Sequence, residues 1–95
     1  MNYKISVKAA LDLEQIWVYT FENWSLEQAD RYLHQIIEEI EYIANNPEVG
    51  KDFSYIRKNY KRTKVKSHFI FYRTTKIVEI IRVLHEKMDI ENRLK

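Results

Sequence analysis

The chain is expected to fold as a single α+β domain over residues 1–95: a short strand, a helical hairpin, and three strands in a small, mostly antiparallel sheet against which the hairpin packs. Three observations predict this β-α-α-β-β-β order. Apolar residues recur at helical spacing between Leu13 and Ile43, and in extended runs from Tyr60 onward. The one proline and the one glycine, Pro47 and Gly50, fall between these two regimes. A chain of 95 residues can bury one core and has a thin stability margin.

Each element has its own signal. Tyr3-Lys4-Ile5-Ser6-Val7 alternates apolar and polar residues, as a half-buried strand does. Leu13, Ile16, Trp17, Thr20, Phe21 and Trp24 then make one stripe of an amphipathic helix, and Asn23 is a helix stop. Ser25-Leu26-Glu27-Gln28 has capping-box spacing, and Glu27 suits the positive end of a helix dipole. Ala29, Tyr32, Leu33, Ile36, Ile37, Ile40 and Ile43 carry a second stripe, which Asn45-Asn46-Pro47 ends. So short a joint between two helices predicts antiparallel packing, with both stripes in the core. Gly50 is expected in a turn at positive φ, and residues 51–59 as a connecting loop. Strands are expected at Tyr60–Val65, His68–Arg73 and Ile77–Leu84, with a final helical turn over Met88–Leu94.

The last strand poses a problem of cover. Val78, Ile80 and Leu84 flank Arg82 on one face, and Ile77, Ile81 and Val83 make the other apolar as well. One helical hairpin covers one face of such a sheet. Either a partner docks on Val78, Ile80 and Leu84, or the tail folds back through Met88, Ile90 and Leu94. Arg82, on an apolar face, calls for an internal carboxylate, because an unpaired buried guanidinium is costly. His85 has a local use open to it, a hydrogen bond to a carboxylate such as Asp89.

Composition excludes several classes. Without cysteine there is no disulfide, thiolate metal site or cysteine nucleophile. His34, His68 and His85 lack metal-ligand spacing, so neither metal nor cofactor is expected. No apolar run reaches membrane-spanning length, and the first residues show no signal-peptide pattern, so the expected compartment is the cytoplasm. The net charge of +2 hides a segregation: residues 10–50 hold nine acids and one base, and residues 51–76 hold nine bases and one acid. Such a dipole fits nucleic acid or an acidic polypeptide, and equally a solvated face or internal pairing.

An ordered set of local signatures goes further. Ala10-x-Asp12-Leu13-x-x-Ile16-Trp17-x-Tyr19-Thr20, Trp24-Ser25-x-x-Gln28-Ala29-x-x-Tyr32, Pro47-x-x-Gly50 and Tyr55-Ile56-Arg57 precede His68-Phe69-Ile70-Phe71-Tyr72-Arg73 and Ile80-x-Arg82-Val83-Leu84-His85-x-x-Met88-Asp89. From about residue 3 to residue 94 the set resembles the RelE/ParE toxin superfamily, and the ParE branch most closely. The resemblance implies the toxin of a bacterial type II toxin–antitoxin pair. Its expected partners are a cognate ParD-like antitoxin, within a toxin–antitoxin hetero-oligomer, and DNA gyrase, with no membrane involved.

Under the ParE reading the protein performs no chemistry. It binds the topoisomerase through candidates Arg57, Arg73, Arg82, His85, Met88 and Asp89, and the antitoxin through Val78, Ile80 and Leu84. Under a RelE reading it cleaves mRNA on the ribosome. Arg73 and Arg82 then hold phosphate, His85 exchanges the proton, and Tyr72 stacks or serves as an acid. A third reading is a plain nucleic-acid-binding module, with basic residues among Tyr60, Phe69, Phe71 and Tyr72; no RNP, helix-turn-helix or zinc-knuckle motif supports it. The lysine-rich, tyrosine-tailed arrangement of the RelE nucleases is not clear in this chain. Glu86-Lys87-Met88-Asp89 follows His85 instead, in the ParE manner.

Overall fold

A computed structural model describes residues 3–94. Strand β1 (Tyr3–Ile5) leads into helices α1 (Val7–Asn23) and α2 (Leu26–Asn45). A 3₁₀ turn (Pro47–Val49) then leads to strands β2 (Lys51–Asp52), β3 (Lys61–Val65), β4 (His68–Thr74) and β5 (Val78–His85), and a short helix α3 (Ile90–Leu94) follows.

Both long helices start where a serine supplies the missing acceptor. Ser6 Oγ accepts from the Ala9 amide at 3.0 Å and donates to Ile81 O at 2.8 Å, so it also fastens α1 to β5. Ser25 Oγ accepts from the Gln28 amide at 3.0 Å. The strand expected to reach Val7 therefore stops at Ile5, because Ser6 turns the chain into the helix.

The sheet is mixed, in the order β1-β5-β4-β3-β2. β1 runs parallel to β5, with Tyr3 opposite Val78 and Ile5 opposite Ile80. The other pairings are antiparallel. Lys51 and Asp52, expected in a loop, pair with Arg62 and Lys61 as a two-residue edge strand. The 53–60 segment is a loop, closed by the Phe53 amide bonding Tyr60 O at 2.8 Å.

A register shift between Phe71 and Tyr72 changes which side chains share a face. Arg82 lies opposite Phe71 and Ile80 opposite Tyr72, which leaves Ile81 as the extra residue of a bulge. Val78, Ile80 and Val83 consequently pack in one core with Ile36, Ile40 and Ile43 of α2 and Leu13 of α1. Leu84 and Ile81 pack in a second core with Phe53, Tyr60, Phe71, Ile90 and Leu94. Strict alternation had put Val78, Ile80 and Leu84 on a single open face. The bulge divides them between two cores, and all three are buried.

Gly50 also departs from expectation. Its φ is −67°, an ordinary extended value. Glycine is needed there because a Cβ would meet the Tyr72 ring, with Cε1 and Cζ at 2.8 Å. The Tyr72 hydroxyl, fully buried, accepts from the Gly50 amide at 2.8 Å and donates to Pro47 O at 2.9 Å. That position closes Tyr72 to any stacking or acid role.

Candidate functional site

The helical stripes predict more core than they deliver. Leu13 and Ile36 are buried, yet Trp24 is 64% exposed and Phe21 47%. The C-terminal half of α1 runs past the edge of the sheet: Trp17 is half-buried, stacked on Phe21 and bonded to Asp30 of α2, while Tyr19 and Trp24 stay exposed. These last two line a groove of about 560 Å³ between the helical hairpin, the β3–β4 turn and the end of β5. Tyr19, Trp24 and Met88 supply its apolar wall, and Tyr32, His68 and His85 its polar floor. An apolar concavity with a few convergent polar groups is the usual form of a binding site.

The floor is ordered. Tyr32 Oη donates to Val65 O at 3.0 Å and lies 2.6 Å from His68 Nδ1. Since the hydroxyl's one proton goes to Val65, the network assigns the Nδ1 proton to His68, which leaves Nε2 as an acceptor. Burial, followed by the neighbouring His85, pushes the His68 pKa down to about 4, so the ring is neutral near pH 7. Burial raises the Tyr32 hydroxyl above its ordinary value. The two histidine rings meet edge to face at 5.1 Å. His85 Nδ1 accepts the Lys87 amide at 3.1 Å, so it caps the turn after β5 itself, while Asp89 accepts instead from Asn92.

Arg82 is internally paired, as its apolar setting requires. Its Nε and Nη2 reach Asp12 of α1 at 2.8 and 2.9 Å, and Nη1 reaches Arg93 O at 3.3 Å. Asp12 also accepts the Val83 amide at 3.0 Å, because β1 has already ended and offers that amide no partner. The carboxylate favours the charged guanidinium and raises the Arg82 pKa. Arg73 pairs with Glu79 at 2.7 Å near solvent.

The arrangement does not bring Arg73, Arg82 and His85 together as a nuclease trio. Arg73 lies opposite Glu79, and His85 opposite His68. Glu79 and His85 are six steps apart along β5, or roughly 20 Å. Arg82 faces Asp12 instead of solvent. Of the residues expected to bind a target, Arg57, Arg73, Met88 and Asp89 are exposed, whereas Arg82 is enclosed and His85 half-buried. Val78, Ile80 and Leu84, expected to take an antitoxin, offer no open surface. Trp24 was missed as a surface residue, since a stripe at helical spacing does not reveal where the sheet beneath it ends, and Tyr19, outside the stripe, was not singled out. Among the described residues no group of three or more histidine, cysteine or acidic side chains could hold a metal ion, and no helix is long and apolar enough to cross a membrane.

Residues 3–90 match the family described as the ParE toxin of type II toxin–antitoxin system, parDE. The chain belongs to the ParE toxin family. It is 36% identical over 95 residues to Toxin ParE1 of Mycobacterium tuberculosis, which covers 98% of this chain and 97% of that one. It is 41% identical over 87 residues to Toxin ParE1 of Caulobacter vibrioides, covering 92% and 91%. The fold is also that of a chain in a chromosomal ParDE toxin–antitoxin system from P. aeruginosa, at a TM-score of 0.77 and 20% identity over 90% of this chain and 95% of that one. The protein is a ParE-type toxin of a type II toxin–antitoxin system, and its mixed sheet under a helical hairpin is the shared ParE architecture.

Proposed function

We propose that this ParE toxin acts by binding DNA gyrase, without chemistry of its own, and that a ParD-like antitoxin neutralises it. The match to ParE toxins over nearly the whole chain carries this reading. The geometry supports the non-catalytic part: Arg73, Arg82 and His85 lie apart, and Arg82 is held by Asp12. The exposed candidates Arg57, Arg73, Met88 and Asp89 remain available to the topoisomerase.

For the antitoxin the reading shifts from Val78, Ile80 and Leu84, which are buried, to the groove of Tyr19, Trp24 and Met88. An amphipathic segment there would cover aromatic residues that the fold leaves in water. Purified protein should inhibit supercoiling and accumulate cleaved DNA. No effect on gyrase, together with ribosome-dependent cuts in mRNA, would replace this reading by the nuclease one. Trp24→Asp should weaken capture of the antitoxin encoded beside this gene by tenfold or more, roughly 1.4 kcal/mol. Isothermal titration of the purified pair reads the loss, and unchanged affinity would move the antitoxin seat elsewhere.

A further inference from the structure

We infer that the outer face built by the 53–62 segment, β3 and α3 is a second binding surface, which takes the phosphate backbone of duplex nucleic acid. The six arginines divide into two sets. Arg31, Arg73 and Arg82 each have a carboxylate partner. Among the described residues, Arg57, Arg62 and Arg93 have none within 4.0 Å, and these three lie on one side of the molecule. Arg57 and Arg93 line a single surface cavity of about 300 Å³ together with Lys8. Arg82 lines it too, but Asp12 offsets its charge. Lys58 is exposed beside them.

Two of the free arginines, Arg57 and Arg62, lie over rings. The Arg62 guanidinium lies 4.1 Å from the Phe69 ring centroid and 4.9 Å from that of Phe53. Arg57 lies 5.8 Å from Tyr60. An aromatic face orients a guanidinium without neutralising it, so its fork of N–H donors stays available for a phosphate. The acids bordering this face are Asp52, turned onto Ser54, whose hydroxyl donates to it at 2.6 Å, Asp89, which accepts from Asn92, and Glu91 in the first turn of α3; none lies within 4.0 Å of a cationic nitrogen of these arginines.

Two features select a duplex backbone. A single strand needs successive open rings on which bases stack. Here Phe53, Tyr60 and Phe71 are buried, Phe69 is half-buried beneath Arg62, and Tyr55 is the one exposed ring among them. An acidic polypeptide needs apolar pockets for anchorage, and the apolar floor beneath these arginines is already covered by the 53–60 loop and α3. Cations at fixed spacing with little apolar surface match phosphates, which position a protein without reading sequence.

The test uses the full-length toxin alone, with neither gyrase nor antitoxin, and a labelled mixed-sequence duplex followed by fluorescence anisotropy. About four phosphate contacts give a log–log salt slope near −4, and affinity falls roughly 200-fold between about 50 and 200 mM salt. Arg57→Gln lowers the slope by about one unit and Arg57→Gln with Arg93→Gln by about two, while Arg31→Gln on α2 leaves it unchanged. Circular dichroism confirms the fold of each variant, and the wild-type slope needs no variant at all. Absence of binding at low salt, a slope near zero, or an equal loss with Arg31→Gln would overturn the proposal. Tighter binding of polyglutamate than of duplex at equal charge would assign the face to an acidic polypeptide and overturn it as well.

Discussion

Asp12 accepts from both ends of the Arg82 fork and from the Val83 amide, so one carboxylate closes the gap left where β1 stops short of β5. Asp12→Ala strands a largely buried guanidinium and a buried amide together. The expected loss is about 3–5 kcal/mol, read as a lower urea midpoint, because breaking one side of a buried pair costs far more than the pair contributes. A loss under about 1 kcal/mol would mean that water reaches Arg82 freely. The Tyr72–Gly50 contact makes a second demand. Gly50→Ala would force the Tyr72 ring aside at a cost of about 1–3 kcal/mol. Tyr72→Phe keeps the ring but leaves Pro47 O and the Gly50 amide without their partner, for a comparable loss of about 1–3 kcal/mol. Thermal unfolding of both variants checks whether the close approach or the hydroxyl matters more.

At the scale of elements, what was legible was what depends on neighbours in the chain. Ser25 and its spacing to Gln28 place the start of α2, and Pro47 places its end. β3, β4 and β5 fall within about a residue of their expected bounds, which is the usual ambiguity of element ends. The bulge at Ile81 was not legible, because it answers to the packing of Phe71 and Tyr72 against opposite cores. For the same reason the partner of Arg82 could be expected in kind, a carboxylate, but not located seventy residues upstream. Helical spacing likewise hid the groove, since Trp24 reads as core until the sheet's edge is known.

The β3–β4 turn shows how such an element responds to pH. His68 titrates near 4 in the fold, held down by burial and then by His85, with Glu86 and Asp12 pulling the other way. In the unfolded chain it titrates near 6.5. As pH falls, the unfolded state takes up the proton first. Stability from neutral His68 is therefore complete above about pH 6.5, declines as pH drops toward 4, and is gone below that. His68→Gln should flatten the wild-type decline across this window in urea titrations, and equal slopes in both proteins would place the sensitivity in other groups.

For the whole molecule, the decisive fact is that the sheet's second face is sealed by the chain itself. Phe53 and Tyr60 cover it from the loop, and Ile90 and Leu94 cover it from α3. This seal removes Leu84 from any docking surface, and leaves the Tyr19–Trp24–Met88 groove and the arginine face as the open ground. The seal is thin, because α3 is five residues long and is held by its packing and by one hydrogen bond from Arg82 to Arg93 O. Leu94 is 5% exposed although it lies at the end of that short helix. Leu94→Ala should cost about 2–4 kcal/mol, a large share of what a domain of this size has to lose. It should also bind a hydrophobic dye where the wild type does not, since Phe71 and Leu84 would come into contact with water. The same variant separates two roles for the tail. If α3 is a lid on the core, Leu94→Ala lowers stability and leaves antitoxin affinity within about twofold once the protein is folded, a difference of roughly 0.4 kcal/mol. If the second face is instead where a partner docks, stability stays within about 0.5 kcal/mol and affinity falls, and Leu84 would return to the interface from which its burial now excludes it.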